Sequence, residues 1–529
     1  MPSISLSPQK RAFLTGTLLL TGTGFLCRIL GFFYRIFLSR TIGAEGLGFY
    51  NMVHPVFSIC FALCAGSVQT ALSQYVAGHQ KKSAPAFHAG LFLSLGLSFL
   101  LALLICRSAP FIAAHILMEP DCEPYLFIIA LSVPFAALHA CINGLYYGMQ
   151  KSHIPAFSQV AEQVIRMTAV FGIVQIYQET GQLLTVSLAV YGHLIGEIAS
   201  AVFLFFCMIL FPPVRREKQS GASFRETIPA GLCLMGLALP LMGNRLVLNL
   251  LGSAEAIWIP NRLTAFGLTS TAAFSVYGVL TGMALPFIMF PSAITNSLAV
   301  LLLPAVAQSQ AEGKQERIAS AVSMALRYSL YMGILCTGVF CLYGRELGTS
   351  VFENPSAGSY IRILGWLCPF MYLSTTLGSI LNGLGKTSST FLQHVCALSL
   401  RLFFVLAGIP KLGMKAYLAG LLASEIFLAA WHLVTLKGMV DFTWNAAEII
   451  AKPVLFLLLS SFINQKLWDV MMFLFHPLLL EPGAPLSFLG TALRIFTLCL
   501  FYGLLLAVWH TAVSGKSLQR PSAKKNRSL

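Results

Sequence analysis

Apolar residues recur in runs of 18 or more from one end of this 529-residue chain to the other. Each run is long enough to cross about 30 Å of hydrocarbon as an α-helix. Segment 91–105, LFLSLGLSFLLALLI, shows no alternation of apolar and polar positions. That excludes a closed β-barrel, the other way for a chain to satisfy its backbone in lipid. The pattern predicts an all-α polytopic membrane protein of fourteen spans: 12–37, 50–75, 86–106, 124–147, 154–176, 183–211, 228–250, 276–306, 317–342, 360–382, 390–409, 415–436, 453–475 and 487–510. Pro55, Pro134, Pro240, Pro286, Pro291 and Pro304 fall inside these spans and predict kinked or tilted helices.

Composition agrees. Hydrophobic residues make up 57% and charged residues 10%, under half the share of about 25% in soluble proteins. With a mean hydropathy of +0.78, there is too little polar surface to cover an aqueous exterior. Lys10 and Arg11 precede an apolar run that outlasts a signal peptide and lacks a small-residue cleavage site, so the first helix is expected to stay. The 13 cysteines are scattered without CxxC pairs and fit packing better than a disulfide framework.

The net charge of +15 follows topology. Taking both termini and the even-numbered connections as one side, nineteen Lys/Arg face six acids there, whereas the other side has eight against ten. Basic loops stay in the cytoplasm, so both termini are expected to be cytoplasmic. The tail 516–527 is then a solvated basic segment, and no nucleic-acid partner is implied.

An internal repeat divides the chain. Asn143-Gly144-Leu145 precedes Lys151, with Arg166 fifteen residues on; Asn382-Gly383-Leu384 precedes Lys386, with Arg401 fifteen residues on. Segment 54–80 lies loosely over 285–311. Six helices per repeat, an even number, give a parallel repeat about the membrane normal. The expected architecture is two pseudo-symmetric six-helix bundles, 1–211 and 212–451, with two extra helices and a basic tail in 452–529. Such paired bundles suit a transporter that exposes a central cavity alternately to each side.

Ten charges fall within the spans: Arg28, Arg35, Arg166, Arg245, Arg327, Arg401, Arg494, Glu162, Glu197 and Glu425. Each costs roughly 2.5–3.5 kcal/mol at a helix centre, so lipid-facing positions are disfavoured, with Arg327 and Arg494 near helix ends expected to snorkel to the membrane faces. Glu162 and Arg166, at i and i+4, form a candidate structural pair. Arg28, Arg35 and Arg245 have no acid within four residues on their own helices. Two readings stay open for them: ties across helices to Glu197 or Glu425, or a cavity for an anionic substrate, since guanidinium donates paired hydrogen bonds to phosphate. Glu162, Glu197 and Glu425 are candidate coupling or cavity acids for Na+ or H+. Asn51 is a candidate for recognising substrate hydroxyls.

Enzyme chemistry finds little footing. Gly385-Lys386-Thr387 ends like a phosphate loop, but position 380 is Ile380 where that motif needs glycine. Asp121-Cys122-Glu123 reads as a solvated loop, and the 11 histidines show no metal-ligand spacing. Neither a cofactor nor a metal is expected.

Residues 24–49, GFLCRILGFFYRIFLSRTIGAEGLGF, resemble the first-helix signature of the polysaccharide-biosynthesis flippases, in particular the stage V sporulation protein B group and more distantly the lipid II flippases. Segments 258–268, 276–307 and NGLGK at 382–386 are similar to the same group. The superfamily also holds the multidrug exporters. The resemblance implies a fourteen-helix transporter that turns a polyprenyl-diphosphate-linked oligosaccharide from the inner to the outer leaflet. It implies a cavity role for Arg28, in Arg-Ile-Leu-Gly-Phe, and less directly for Arg35, displaced by one position from the pattern. It further implies a groove for the lipid tail in 453–510. A single chain working among membrane lipids is expected. The alternatives are a cation-coupled multidrug exporter, whose cationic substrates an Arg-rich cavity would repel, a polytopic glycosyltransferase, and a scramblase or channel.

Overall fold

The computed structural model describes residues 8–181, 184–212, 224–442, 444–479 and 488–518. The predicted tail charges beyond 518, and Arg215, Arg216 and Lys218, lie outside them. Among the described residues the chain is helical throughout, with short connections. We number the membrane helices in chain order. α1 and α2 are the two arms of Leu19–Gly78, before and after Gly43. They are followed by α3 (Gln80–Ile116), α4 (Pro120–Gly148), α5 (His153–Glu179), α6 (Ser187–Leu210) and α7 (Thr227–Ala265). α8 comprises Ser270–Met289 and Ser292–Ala311. The remainder are α9 (Gln315–Phe352), α10 (Pro355–Gly383), α11 (Thr387–Leu412), α12 (Met414–Lys437), α13 (Ala447–Met471) and α14 (Phe488–Thr511).

All fourteen expected spans are helices, but several boundaries differ from the hydropathy pattern; α3 runs on to Ile116 and α9 to Phe352, each ten residues past its expected end. The connection expected at 38–49 is itself helical, broken only at Gly43, whose φ of 71° and ψ of −176° are open to glycine and costly for other residues. Helix α7 continues to Ala265, fifteen residues past its expected end, because polar positions such as Glu255 find partners inside the protein. The span expected at 276–306 begins at Ser270, where the Thr269 hydroxyl caps the Ala272 N–H at 3.3 Å, and is interrupted before Pro291. Pro355 opens α10 behind Asn354, whose Oδ1 accepts from the Ser356 and Ala357 N–H groups at 2.9 and 3.1 Å, a standard N-cap.

Two compact units result. The first holds 1–293 and 391–424, the second 294–390 and 425–529. They do not follow the repeat boundaries at 211 and 451. Helix α7 buries Ala230, Leu234 and Ala238 with Leu72, Phe87 and Ala89, so it belongs with the helices before it. A second core of the first unit gathers Met52, Phe57, Leu126, Val133 and Val190. The other unit is built around Val306, Leu326, Leu377 and Leu436.

Each unit nevertheless carries the same local joint. A Cβ on Gly144, at the end of α4, would stand 2.8 Å from the Gln69 carbonyl of α2; one on Gly383, at the end of α10, would stand 2.8 Å from the Leu303 carbonyl of α8. The matched Asn-Gly-Leu motifs therefore make matched helix crossings. A tighter crossing joins α2 and α8. A Cβ on Gly278 would fall 1.8 Å from the Ala44 carbonyl, and one on Gly48 would fall 2.3 Å from that of Phe274. Backbone cannot yield there as a side chain could. Gly278→Ala is expected to destabilise by about 1–3 kcal/mol, whereas Gly231→Ala, with its neighbour Ala89 at 3.5 Å, leaves the thermal midpoint in detergent within a degree or so.

Candidate functional site

The first unit collects most of the buried charge. Arg28 and Arg35 are seven residues apart on α1, about two helical turns, and so share a face. Arg28 is exposed. Arg35 is half-buried and its Nη1 donates to the Thr281 carbonyl of α8 at 3.3 Å. Asn51 of α2 reaches the same residue, its Nδ2 donating to Thr281 Oγ1 at 3.0 Å. Thr281 lies in a widened π turn, Val279–Ala284, a feature that displaces the helical ladder and recurs at functional sites.

Arg245 of α7 repeats the arrangement. Its Nη2 donates to Thr70 Oγ1 at 3.0 Å, and the guanidinium lies against Gly66, where a Cβ would be 2.3 Å from Nη1. Gly66 closes another π turn, Ala62–Gly66. Among the described residues, Arg28, Arg35 and Arg245 meet no carboxylate within ion-pair distance. Of the two readings left open by the sequence, a tie from these arginines to Glu197 does not form among the described residues.

Glu162 and Arg166 of α5 do form an ion pair, both largely buried. The guanidinium rests on α6 at Gly196, where a Cβ would sit 2.6 Å from Nε, and the Tyr34 hydroxyl lies 2.7 Å from a Cβ on Gly192. Glycine at i and i+4 thus opens a slot in α6 for two polar side chains. Glu197 is buried beside them, and its partners are histidines. His139 Nε2 of α4 donates to its Oε2 at 2.7 Å, and His193 Nε2 stands 4.0 Å from Oε1. The His193 ring is edge-on to Phe57 at 4.3 Å and 5.6 Å from the His54 ring. These three histidines went unrecognised in the sequence because they come from α2, α4 and α6, with no spacing in common. Their one legible signal was location inside apolar spans.

Glu425 is not part of this cluster. It belongs to the second unit, where its Oε2 accepts from Ser374 Oγ at 3.3 Å. Arg401 also departs from expectation. Its Nε and Nη2 donate to Glu255 Oε2 at 2.9 and 2.8 Å, and Tyr417 donates to Oε1 at 2.5 Å. The excess of seven arginines over three acids is therefore smaller by one, since the extension of α7 brings Glu255 into the protein interior. Arg494 stacks over Trp468 at 4.8 Å. Guanidiniums that touch only neutral groups can accept an anion, whereas paired ones cannot without breaking a salt bridge; Arg28, Arg35 and Arg245 are in the first class.

A family model described as polysaccharide biosynthesis protein matches residues 13–310. Stage V sporulation protein B of Bacillus subtilis (strain 168) is 27% identical over 446 residues, covering 83% of this chain and 86% of that protein. The lipid II flippase MurJ of the same organism is 21% identical over 487 residues, covering 85% and 86%. A solved structure of lipid II flippase MurJ in an inward closed conformation superposes with a TM-score of 0.67 at 14% identity, over 94% of this chain and 99% of that one. The likeness of fold thus extends over nearly the whole chain.

Proposed function

The chain belongs to the polysaccharide biosynthesis protein family, and on that premise we propose that it flips a polyprenyl-diphosphate-linked saccharide from the cytoplasmic to the outer leaflet of a bacterial cell membrane. It works as a single chain with both termini cytoplasmic, by alternating access, while the helices in 452–529 attend the lipid tail.

One observation carries this reading. In the first unit Arg28, Arg35 and Arg245 keep their charge uncompensated by any carboxylate among the described residues, while Arg166 and Arg401 are neutralised by Glu162 and Glu255. A diphosphate head group entering hydrocarbon alone would lose its hydration without replacement. Three guanidiniums without a carboxylate partner supply charge-assisted hydrogen bonds at about twice the strength of neutral ones. Amides such as Asn51 suit saccharide hydroxyls. The same three charges oppose a multidrug exporter with cationic substrates.

The test is reconstitution of the purified protein into vesicles with a fluorescent undecaprenyl-diphosphate saccharide, following its arrival in the opposite leaflet with a membrane-impermeant quencher. Transfer faster than in protein-free vesicles is the expected result. Equal rates overturn the proposal.

A further inference from the structure

Among the described residues, three largely buried acids of the first unit are neutralised in two different ways. Glu162 is paired with Arg166 and Glu255 with Arg401, and guanidinium keeps its charge at every accessible pH. Glu197, 5% exposed, has imidazoles as its only basic neighbours within ion-pair distance among the described residues, His139 at 2.7 Å and His193 at 4.0 Å. An arginine–carboxylate pair needs no exchangeable proton to be neutral, since the guanidinium is always charged. A histidine–carboxylate pair is neutral only while a proton resides on it, and histidine exchanges that proton in the physiological range. Leaving Glu197 as a bare buried carboxylate is the costly alternative.

The surroundings provide a route for such a proton. His139 Nδ1 and His193 Nε2 are buried without hydrogen-bond partners, which is rare for groups of this kind. From Glu197 the imidazole of His193 leads to that of His54, 5.6 Å away, and Ser58 Oγ lies 3.2 Å from His54 Nδ1. His54 is one turn after Asn51, which shares Thr281 with Arg35. The charged and titratable groups facing the pair are Glu162 and Arg166 of α5 and His193 of α6 itself, with His54 of α2 beyond His193; Arg35 of α1 faces His54, and Tyr34 of α1 and Tyr50 of α2 face Arg166. Among the described residues, no group of three or more His, Cys, Asp or Glu is arranged to hold a metal ion.

We propose that the His139–Glu197 pair is a proton-binding site carrying one exchangeable proton, with His193 and His54 as its relay toward Arg35. The proton comes from water and rests on His139 Nδ1 or the Glu197 carboxyl; no covalent bond to other atoms changes. Proton loading adds one positive charge to the unit that carries Arg28 and Arg35. An anion bound there favours the loaded form, and by reciprocity the proton tightens anion binding. The coupling to an anion rests on the function proposed above, whereas the proton site itself does not.

Two measurements on the purified full-length protein separate these. Potentiometric titration of wild type minus Glu197→Gln is expected to show one additional proton bound per chain between about pH 5 and 8. Calorimetric titration with undecaprenyl diphosphate, in buffers of differing ionisation enthalpy, is expected to show proton uptake on binding in wild type and none in Glu197→Gln or His139→Gln. The substitutions are on different helices, so whichever variant keeps its wild-type elution volume and thermal midpoint decides. A titration difference of zero overturns the proton site. Binding without proton uptake, or uptake retained in a folded variant, overturns the coupling. Absence of any diphosphate binding with the titration difference intact overturns the proposed function and leaves the proton site standing.

Discussion

Replacing Arg28 by glutamate is expected to lower transport of the lipid-linked saccharide by about 100-fold or more, with membrane insertion and thermal midpoint unchanged. The exposed guanidinium has no partner among the described residues, so its removal leaves no buried group stranded. What disappears is a charged hydrogen bond to phosphate, worth about 1.5–3 kcal/mol, and what replaces it repels the same phosphate. At 1.4 kcal/mol per factor of ten, the loss of attraction alone spans one to two decades. Arg28→Lys keeps the charge but loses the paired, planar donors, and is expected to fall between wild type and Arg28→Glu. The same vesicle assay decides: wild-type rates in Arg28→Glu remove Arg28 from the substrate path.

The second large effect is on stability. Arg401→Ala is expected to destabilise the protein by about 3–5 kcal/mol, since it leaves Glu255 charged and buried with Tyr417 as its remaining strong donor. Removing both charges, as in Glu255→Gln with Arg401→Met, restores most of the loss because no uncompensated ion remains. Thermal unfolding in detergent of the two single variants and the double reads the pair as a cycle. A single variant within about 1 kcal/mol of wild type would show that solvent, not protein, satisfies Glu255. The contrast with Arg28 is a physical one: a paired buried arginine holds the fold, an unpaired exposed one is available to substrate.

Several features of this site were legible before any coordinates. The Glu162–Arg166 pair follows from i,i+4 geometry, which depends on one helix alone. That Arg28, Arg35 and Arg245 lack a local acid is likewise a one-helix property. The Asn-Gly-Leu repeat marked two crossings that prove alike, with Gly144 and Gly383 each seated on a backbone carbonyl. Hydropathy ends α7 too early because it counts Glu255 as a loop residue; a carboxylate held by Arg401 and Tyr417 across helices does not need water. The histidines were invisible for a related reason. His54, His139 and His193 meet at Glu197 only because α2, α4 and α6 converge.

By itself the sequence determined the class, the helices and their approximate number, because hydrocarbon admits long apolar helices with few charges and each span declares itself locally. It also determined which charges lack partners on their own helix. Only the tertiary structure decided which of those charges are neutralised. Pairing Arg401 with Glu255, setting Arg35 and Asn51 on Thr281, and leaving Glu197 to imidazoles all depend on contacts between helices far apart in the chain. Such contacts are set by where glycines allow backbones to meet and where wide turns expose carbonyls, neither of which hydropathy records.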